Sequence, residues 1–171
     1  DAYIEIMKRG NHPELELRVA GGMTDEDEPY VEEQKKKLRA SDLLDKATFL
    51  PNVDRDGKIT FLRDLTVFSV PSQFPEAFGL YVLEALAAGV PVVLPEEGAF
   101  PELVKTTNAG VLYGPNDSTA LAHALENLIS RPDEAHAMGL RGHEIVGERF
   151  SNERLATELV DNVLAQIPAL T

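Results

Sequence analysis

Leu65-Thr66-Val67-Phe68-Ser69-Val70-Pro71-Ser72-Gln73-Phe74-Pro75-Glu76-Ala77-Phe78-Gly79-Leu80-Tyr81-Val82-Leu83-Glu84-Ala85-Leu86-Ala87-Ala88-Gly89-Val90-Pro91-Val92-Val93-Leu94 contains a strand, a loop, a helix and a second strand in that order. The run Leu65 to Val70 is apolar with little alternation, the pattern of a strand buried on both faces. Pro71 and Ser72 end it, and Gln73 to Phe78 form a loop. Gly79 to Ala88 is predicted as a helix stopped by Gly89, and Pro91 to Leu94 as the next strand. Two doubly buried strands joined through a helix require a parallel pair, because parallel neighbours need a crossover connection.

The same alternation extends in both directions. Upstream, Ala2 to Arg9 reads as the end of a helix stopped by Gly10-Asn11-His12-Pro13, and Leu15 to Ala20 as a strand running into Gly21-Gly22. The acidic run Asp25 to Glu28 introduces a helix reaching about Ala40, since carboxylates at a helix start complement its dipole. Ala47 to Leu50 is a short strand closed by Pro51-Asn52, and Ile59 to Asp64 a short helix. Downstream, a helix around Pro101 to Lys105 leads to a last strand, Ala109 to Tyr113. Helices then begin at Asp117 or Ser118, at Pro132, and at Ser151, the final one running to about Ile167. The fold class is α/β: a Rossmann-like parallel sheet with helices on both faces and extra C-terminal helices. Ligands on such sheets bind beyond the carboxyl ends of the strands. That singles out the loops Gly21 to Thr24, Pro51 to Asp54, Pro71 to Gly79 and Pro95 to Phe100.

With 171 residues, the chain is expected to be one domain. Its 29 acidic and 16 basic side chains give a net charge of −13. Such a surface repels nucleic acid and anionic lipid, so nucleic-acid partners are not expected. Cysteine is absent, which removes disulfides and thiolate metal sites. The acidic run lacks the regular oxygen spacing of a calcium loop, and His12, His123, His136 and His143 show no ligand spacing, so no metal is expected. No apolar run approaches a membrane span and no signal pattern opens the chain, which leaves a cytoplasmic location as the expectation.

An acidic protein that binds an anion needs local donors. The first-turn amides of the Gly79 helix, at Gly79, Leu80 and Tyr81, have no helical acceptors. A diphosphate there would also gain from the helix dipole. Glu76 precedes these amides, and Glu84 follows about five residues inside the helix, roughly 7.5 Å along its axis. A pyrophosphate between them would place a sugar at one end and a ribose at the other, and each carboxylate can accept from a vicinal diol. Glu76 is assigned to the sugar and Glu84 to the ribose. Spacing alone also allows Glu76 to serve only the helix dipole and Glu84 to be a solvated helix residue.

Two glutamates separated by seven residues, with Phe78-Gly79-Leu80 after the first and Glu84-Ala85-Leu86-Ala87-Ala88-Gly89-Val90-Pro91-Val92-Val93 from the second, resemble the signature of the group-one retaining glycosyltransferases of GT-B fold. That family includes many bacterial mannosyl-, glucosyl- and N-acetylglucosaminyltransferases. Gly98, Pro101-Glu102-Leu103-Val104, Asn108 to Leu112 and Leu17 to Gly22 extend the resemblance over most of Leu15 to Leu128.

The resemblance implies a nucleotide-sugar donor domain, one half of the GT-B fold, transferring a hexose with retention and using no further cofactor. It implies Glu76 at the reacting face, Phe78, Gly79 and Leu80 as diphosphate donors, and Glu84 on the ribose. Gly21, Gly22, Asn52 and Val53 would border the base. Two carboxylates flanking a scissile bond, as in glycoside hydrolases, are not required. The family's first strand of this domain, with its Gly-Arg and a later lysine, has no match, and Lys8-Arg9 lie too late. The domain is thus expected to be N-terminally incomplete, with that central strand and the acceptor domain supplied elsewhere and any membrane association confined to them. By itself the chain is expected to bind donor weakly and transfer nothing. A non-enzymatic nucleotide-sugar-binding module remains the alternative, and a nucleotide-sugar epimerase a more distant one.

Overall fold

Val92, Val93 and Leu94 are fully buried, which makes β4 (Val92–Pro95) the central strand of its sheet. The computed structural model describes residues 1–162. In it β4 pairs in parallel with β3 (Phe68–Ser69) on one side and with β5 (Gly110–Tyr113) on the other. A second parallel ladder joins β1 (Leu17–Gly21) to β2 (Ala47–Pro51), in register from Leu17 opposite Ala47 to Gly21 opposite Pro51. The parallel strands and helical crossovers agree with the sequence-based fold class.

The expected single sheet is present as two ladders. β1 and β3 share no backbone hydrogen bonds. Their facing edges border an apolar cleft of about 970 Å³. Leu17 and Val19 line it from β1, Phe68 and Val70 from the β3 side, and Ile6 and Phe61 from neighbouring helices. Only Phe68 and Ser69 of the predicted strand Leu65 to Val70 have ladder partners. Leu65 and Val67 still pack on the core, so burial follows the sequence while pairing does not. An apolar run announces burial, but a ladder also needs a neighbouring strand within about 5 Å.

The helices are α1 (Ala2–Arg9), α2 (Glu28–Arg39), α3 (Arg55–Arg63), α4 (Leu80–Ala87), α5 (Phe100–Thr107), α6 (Ser118–Ile129), α7 (Pro132–Arg149) and α8 (Asn152–Asn162). The predicted extension of the final helix to Ile167 lies outside the described residues. α3 begins four residues before the predicted Ile59, because Asp54 caps it by accepting the Gly57 amide at 2.8 Å. Its first turn is polar and carries no apolar period. Asp117 caps α6 in the same way, through the Ala120 amide at 2.8 Å.

Two cores follow the two ladders. Tyr3, Leu38 and Leu43 form a small one beside β1 and β2. The larger one joins Val82, Leu86, Val92, Leu94 and Phe100 around the β3–β4–β5 ladder. Phe100 has no exposed surface and meets the Tyr81 ring edge-on at 6.5 Å between centroids. Phe100→Ala is expected to cost about 3–5 kcal/mol of stability, from lost transfer energy and the remaining cavity. A urea titration should show the midpoint falling at unchanged slope.

Candidate functional site

Among the described residues, β1 to β5 run parallel within their ladders, so the loops after β1 and β2, and those after β3, β4 and β5, gather at strand carboxyl ends. After β1 and β2, Asn52 ties two loops together. Its amide nitrogen donates to the Gly21 carbonyl at 2.9 Å, and its side chain exchanges hydrogen bonds with the Met23 backbone at 2.8 and 2.9 Å. Asn52 sits at φ 53°, a left-handed conformation that asparagine tolerates well. Gly21, Gly22, Asn52 and Val53 thus line one end of the cleft together.

Glu84, half-buried on α4, lines the same cleft. Lys58 Nζ from α3 donates to its Oε1 at 2.5 Å. Nothing in the sequence links Lys58 to Glu84, which lie 26 positions apart and on different helices.

The loop before α4 is built around Glu76. Its Oε1 accepts from the amides of Ala77 at 3.0 Å and Phe78 at 3.2 Å, and its Oε2 from the Tyr81 hydroxyl at 2.5 Å. The Tyr81 bond above all, then the Phe78 amide, with smaller help from the Ala77 and Gly79 amides, holds the carboxyl below its ordinary 4.5. Burial, then the bond to Glu76 and its charge, push the Tyr81 hydroxyl far above its usual range, so it stays a donor. Tyr81 is itself wedged between Phe68 and Phe100, each ring centroid 6.5 Å away.

The Glu76 backbone is fixed from the β4–α5 loop. The Ala99 amide donates to the Glu76 carbonyl at 2.8 Å. Gly98, at φ 58°, presses so closely that a Cβ there would lie 2.5 Å from that carbonyl oxygen. Gly79 opens α4 at φ 83°, a left-handed N-cap that suits glycine.

The predicted diphosphate donors therefore divide. The Phe78 amide donates to Glu76, and the Gly79 amide also supports that carboxylate. The Leu80 and Tyr81 amides donate to no protein acceptor among the described residues. The structure brings Glu84 and the four base-region residues together in the cleft. Glu76, Phe78, Gly79 and Leu80 gather at the α4 start beside it, and Tyr81 touches both groups. The Tyr81 side chain is the functional group that the sequence reading missed; its place five positions after Glu76, in the first turn of α4, is the available signal.

A family model for glycosyl transferases of group 1 matches residues 1–144. The chain belongs to the group 1 glycosyltransferases. It is 34% identical over 158 residues to the lipopolysaccharide core biosynthesis mannosyltransferase LpcC of Rhizobium leguminosarum bv. viciae, covering 92% of this chain and 44% of that protein. It is 34% identical over 149 residues to human alpha-1,3/1,6-mannosyltransferase ALG2, covering 85% of this chain and 35% of that protein. The chain spans less than half the length of these curated relatives. Among solved structures, the C-terminal domain of the group 1 glycosyl transferase LpcC from Francisella tularensis superposes with a TM-score of 0.76 at 26% identity, covering 88% of this chain and 78% of that one. Sucrose-phosphate synthase from Thermosynechococcus elongatus gives a TM-score of 0.81 at 26% identity over 97% of this chain and 42% of that one. The fold of this group 1 chain is thus the Rossmann-like half of a GT-B fold. Among the described residues no helix is long and apolar enough to cross a membrane.

Arg9, one of the basic pair Lys8-Arg9, donates to Glu126 and Glu5, each at 2.5 Å. His143 Nδ1 lies 2.6 Å from the Ala87 carbonyl oxygen, and His123 contacts Arg9.

Because the folded Glu76 carboxyl titrates below 4.5, its bonds add stability above that pH and lose it as pH falls through the lower folded value. In Tyr81→Phe the largest cause is gone, and Glu76 should titrate closer to 4.5. A carboxyl-carbon NMR titration reads this, and an identical titration point in both proteins would remove the assigned clasp.

Proposed function

We propose that this chain is the donor-binding domain of a retaining hexosyltransferase that uses a nucleoside-diphosphate sugar. The observation that carries the reading is the juxtaposition at one strand edge of free α4 amides, a clamped Glu76 and a cleft-facing Glu84. The base enters between Gly21-Gly22 and Asn52-Val53, and the ribose diol donates to Glu84. The diphosphate is received by the Leu80 and Tyr81 amides, and by Gly79 and Phe78 as Glu76 turns from them toward the sugar hydroxyls. Mannosyltransferases among the relatives, and an Anabaena fold neighbour bound to UDP and glucose (TM-score 0.84, 21% identity, covering 96% of this chain and 44% of that one), support a nucleotide sugar as the ligand class.

Catalysis by such a domain is stabilisation of departing charge. As the glycosidic bond to the diphosphate breaks, negative charge grows on the leaving oxygen, and the free Leu80 and Tyr81 N–H groups at the helix start offset it without reorganisation, joined by Phe78 and Gly79 once Glu76 has turned. The Tyr81 clasp and the low pKa keep Glu76 ionised, suited to accept from sugar hydroxyls beside a cation-like sugar ring. Glu76 and Glu84 serve different ends of one ligand and do not form an acid–base pair. The cleft between β1 and β3 is proposed to take a further strand from a longer protein, whose cations would complete the diphosphate site. The acceptor would be held by a second domain, so the chain by itself binds donor weakly and transfers nothing.

Ligand-observed NMR with UDP-, GDP- and ADP-glucose and GDP-mannose tests the site. Glu84→Ala should weaken every nucleotide that binds by about tenfold, the scale of one charged hydrogen-bond pair. Glu76→Ala should reduce the gain that the sugar adds over the free nucleoside diphosphate. Equal affinities in the Glu84 variant would remove the ribose role.

A further inference from the structure

The first turn of α3 carries a cation where a helix favours anions. Lys58 stands four residues into the helix, near its positive end, so its charge does nothing for the helix dipole. The Lys58 amide donates to the Asp54 carbonyl at 2.9 Å, and Asp54 caps the helix. Lys58 is therefore rigidly connected to the Pro51–Asp54 loop, whose Asn52 and Val53 line the cleft. From there its Nζ crosses to α4 and donates to Glu84 Oε1. Both side chains line the cleft, and each keeps about two-fifths of its surface exposed.

The remaining capacity of Glu84 is informative. A carboxylate offers about four lone-pair directions, and Lys58 uses one on Oε1. Oε2 has no partner among the described residues. One lone pair on Oε1 and both on Oε2 stay available, which is what two adjacent hydroxyls need. Without the ammonium, a half-exposed glutamate would rotate among several side-chain conformers and lose that orientation.

We propose that Lys58 is a positioning residue of the nucleotide site: its ammonium fixes the Glu84 carboxylate in the orientation that accepts a ribose diol, linking the base-region loop to the ribose-binding helix. This rests on the ribose role assigned to Glu84 above. Lys58 acts through Glu84, so its effect is confined to ligands that carry both ribose hydroxyls. As a solvent-exposed pair, it contributes little to stability, and its removal leaves the fold intact.

The experiment compares GDP and UDP with their 2′,3′-dideoxy forms by ligand-observed NMR titration on the unaltered chain, Lys58→Met and Lys58→Arg. The unaltered chain should prefer the ribose form. Lys58→Met, which keeps the apolar stem, should reduce that preference about tenfold while leaving dideoxy affinity and Tm unchanged. Lys58→Arg keeps the cation and should retain the preference within about threefold. If Lys58→Met keeps the full preference, or if ribose and dideoxy forms weaken by the same factor, the positioning role is overturned. Loss of the preference in Lys58→Arg to the same extent as in Lys58→Met also overturns it. No preference in the unaltered chain would instead remove the ribose role of Glu84 itself.

Discussion

The Glu76 carboxylate is held by three donors at the mouth of α4, and the rest of the site depends on that clasp. Two are peptide amides of the loop and one is the Tyr81 hydroxyl. Tyr81 can hold it because Phe68 and Phe100 grip its ring. Phe100 in turn is buried completely in the larger core. A surface carboxylate is thus positioned by apolar packing two contacts away. Ala99 completes the support from behind through its amide, and Gly98 approaches so closely that it leaves no room for a side chain.

The parallel strand direction decides where the chemistry gathers. Each crossover returns the chain to the same starting edge, so each strand releases its next loop at the carboxyl edge. The Asn52 clamp on Met23 and the Ala99 bond to Glu76 each join two such loops, one on each ladder. Between the ladders lies the apolar cleft, bordered by strand edges whose backbone groups have no ladder partner across it. Such edges favour a further strand over open solvent.

Charge sets the second constraint. A chain of net charge −13 cannot attract a nucleotide at long range, so it has to recognise one at contact distance. Peptide N–H groups at the cleft serve this need, while several cations are committed elsewhere. Arg9 is tied to Glu5 and Glu126, Arg18 to Asp64 and Arg131 to Glu134. Local donors then discriminate among ligands by shape and hydrogen bonding more than by charge.

The sequence by itself determined the order of strands and helices, the glutamate pair bracketing a glycine-started helix, and the family. These are local properties: apolar periodicity, cap residues such as Asp117, and a contiguous motif from Pro71 to Val93 all lie within a few residues along the chain. Only the tertiary structure decided that β1 and β3 stay apart, that Ala77 and Phe78 support Glu76, and that Tyr81 is part of the clasp. It alone joined Lys58 to Glu84, because two side chains 26 positions apart meet only where α3 and α4 pack. Pairing of strand edges and of distant charges depends on distances through space, and no pattern of neighbours along the chain encodes them.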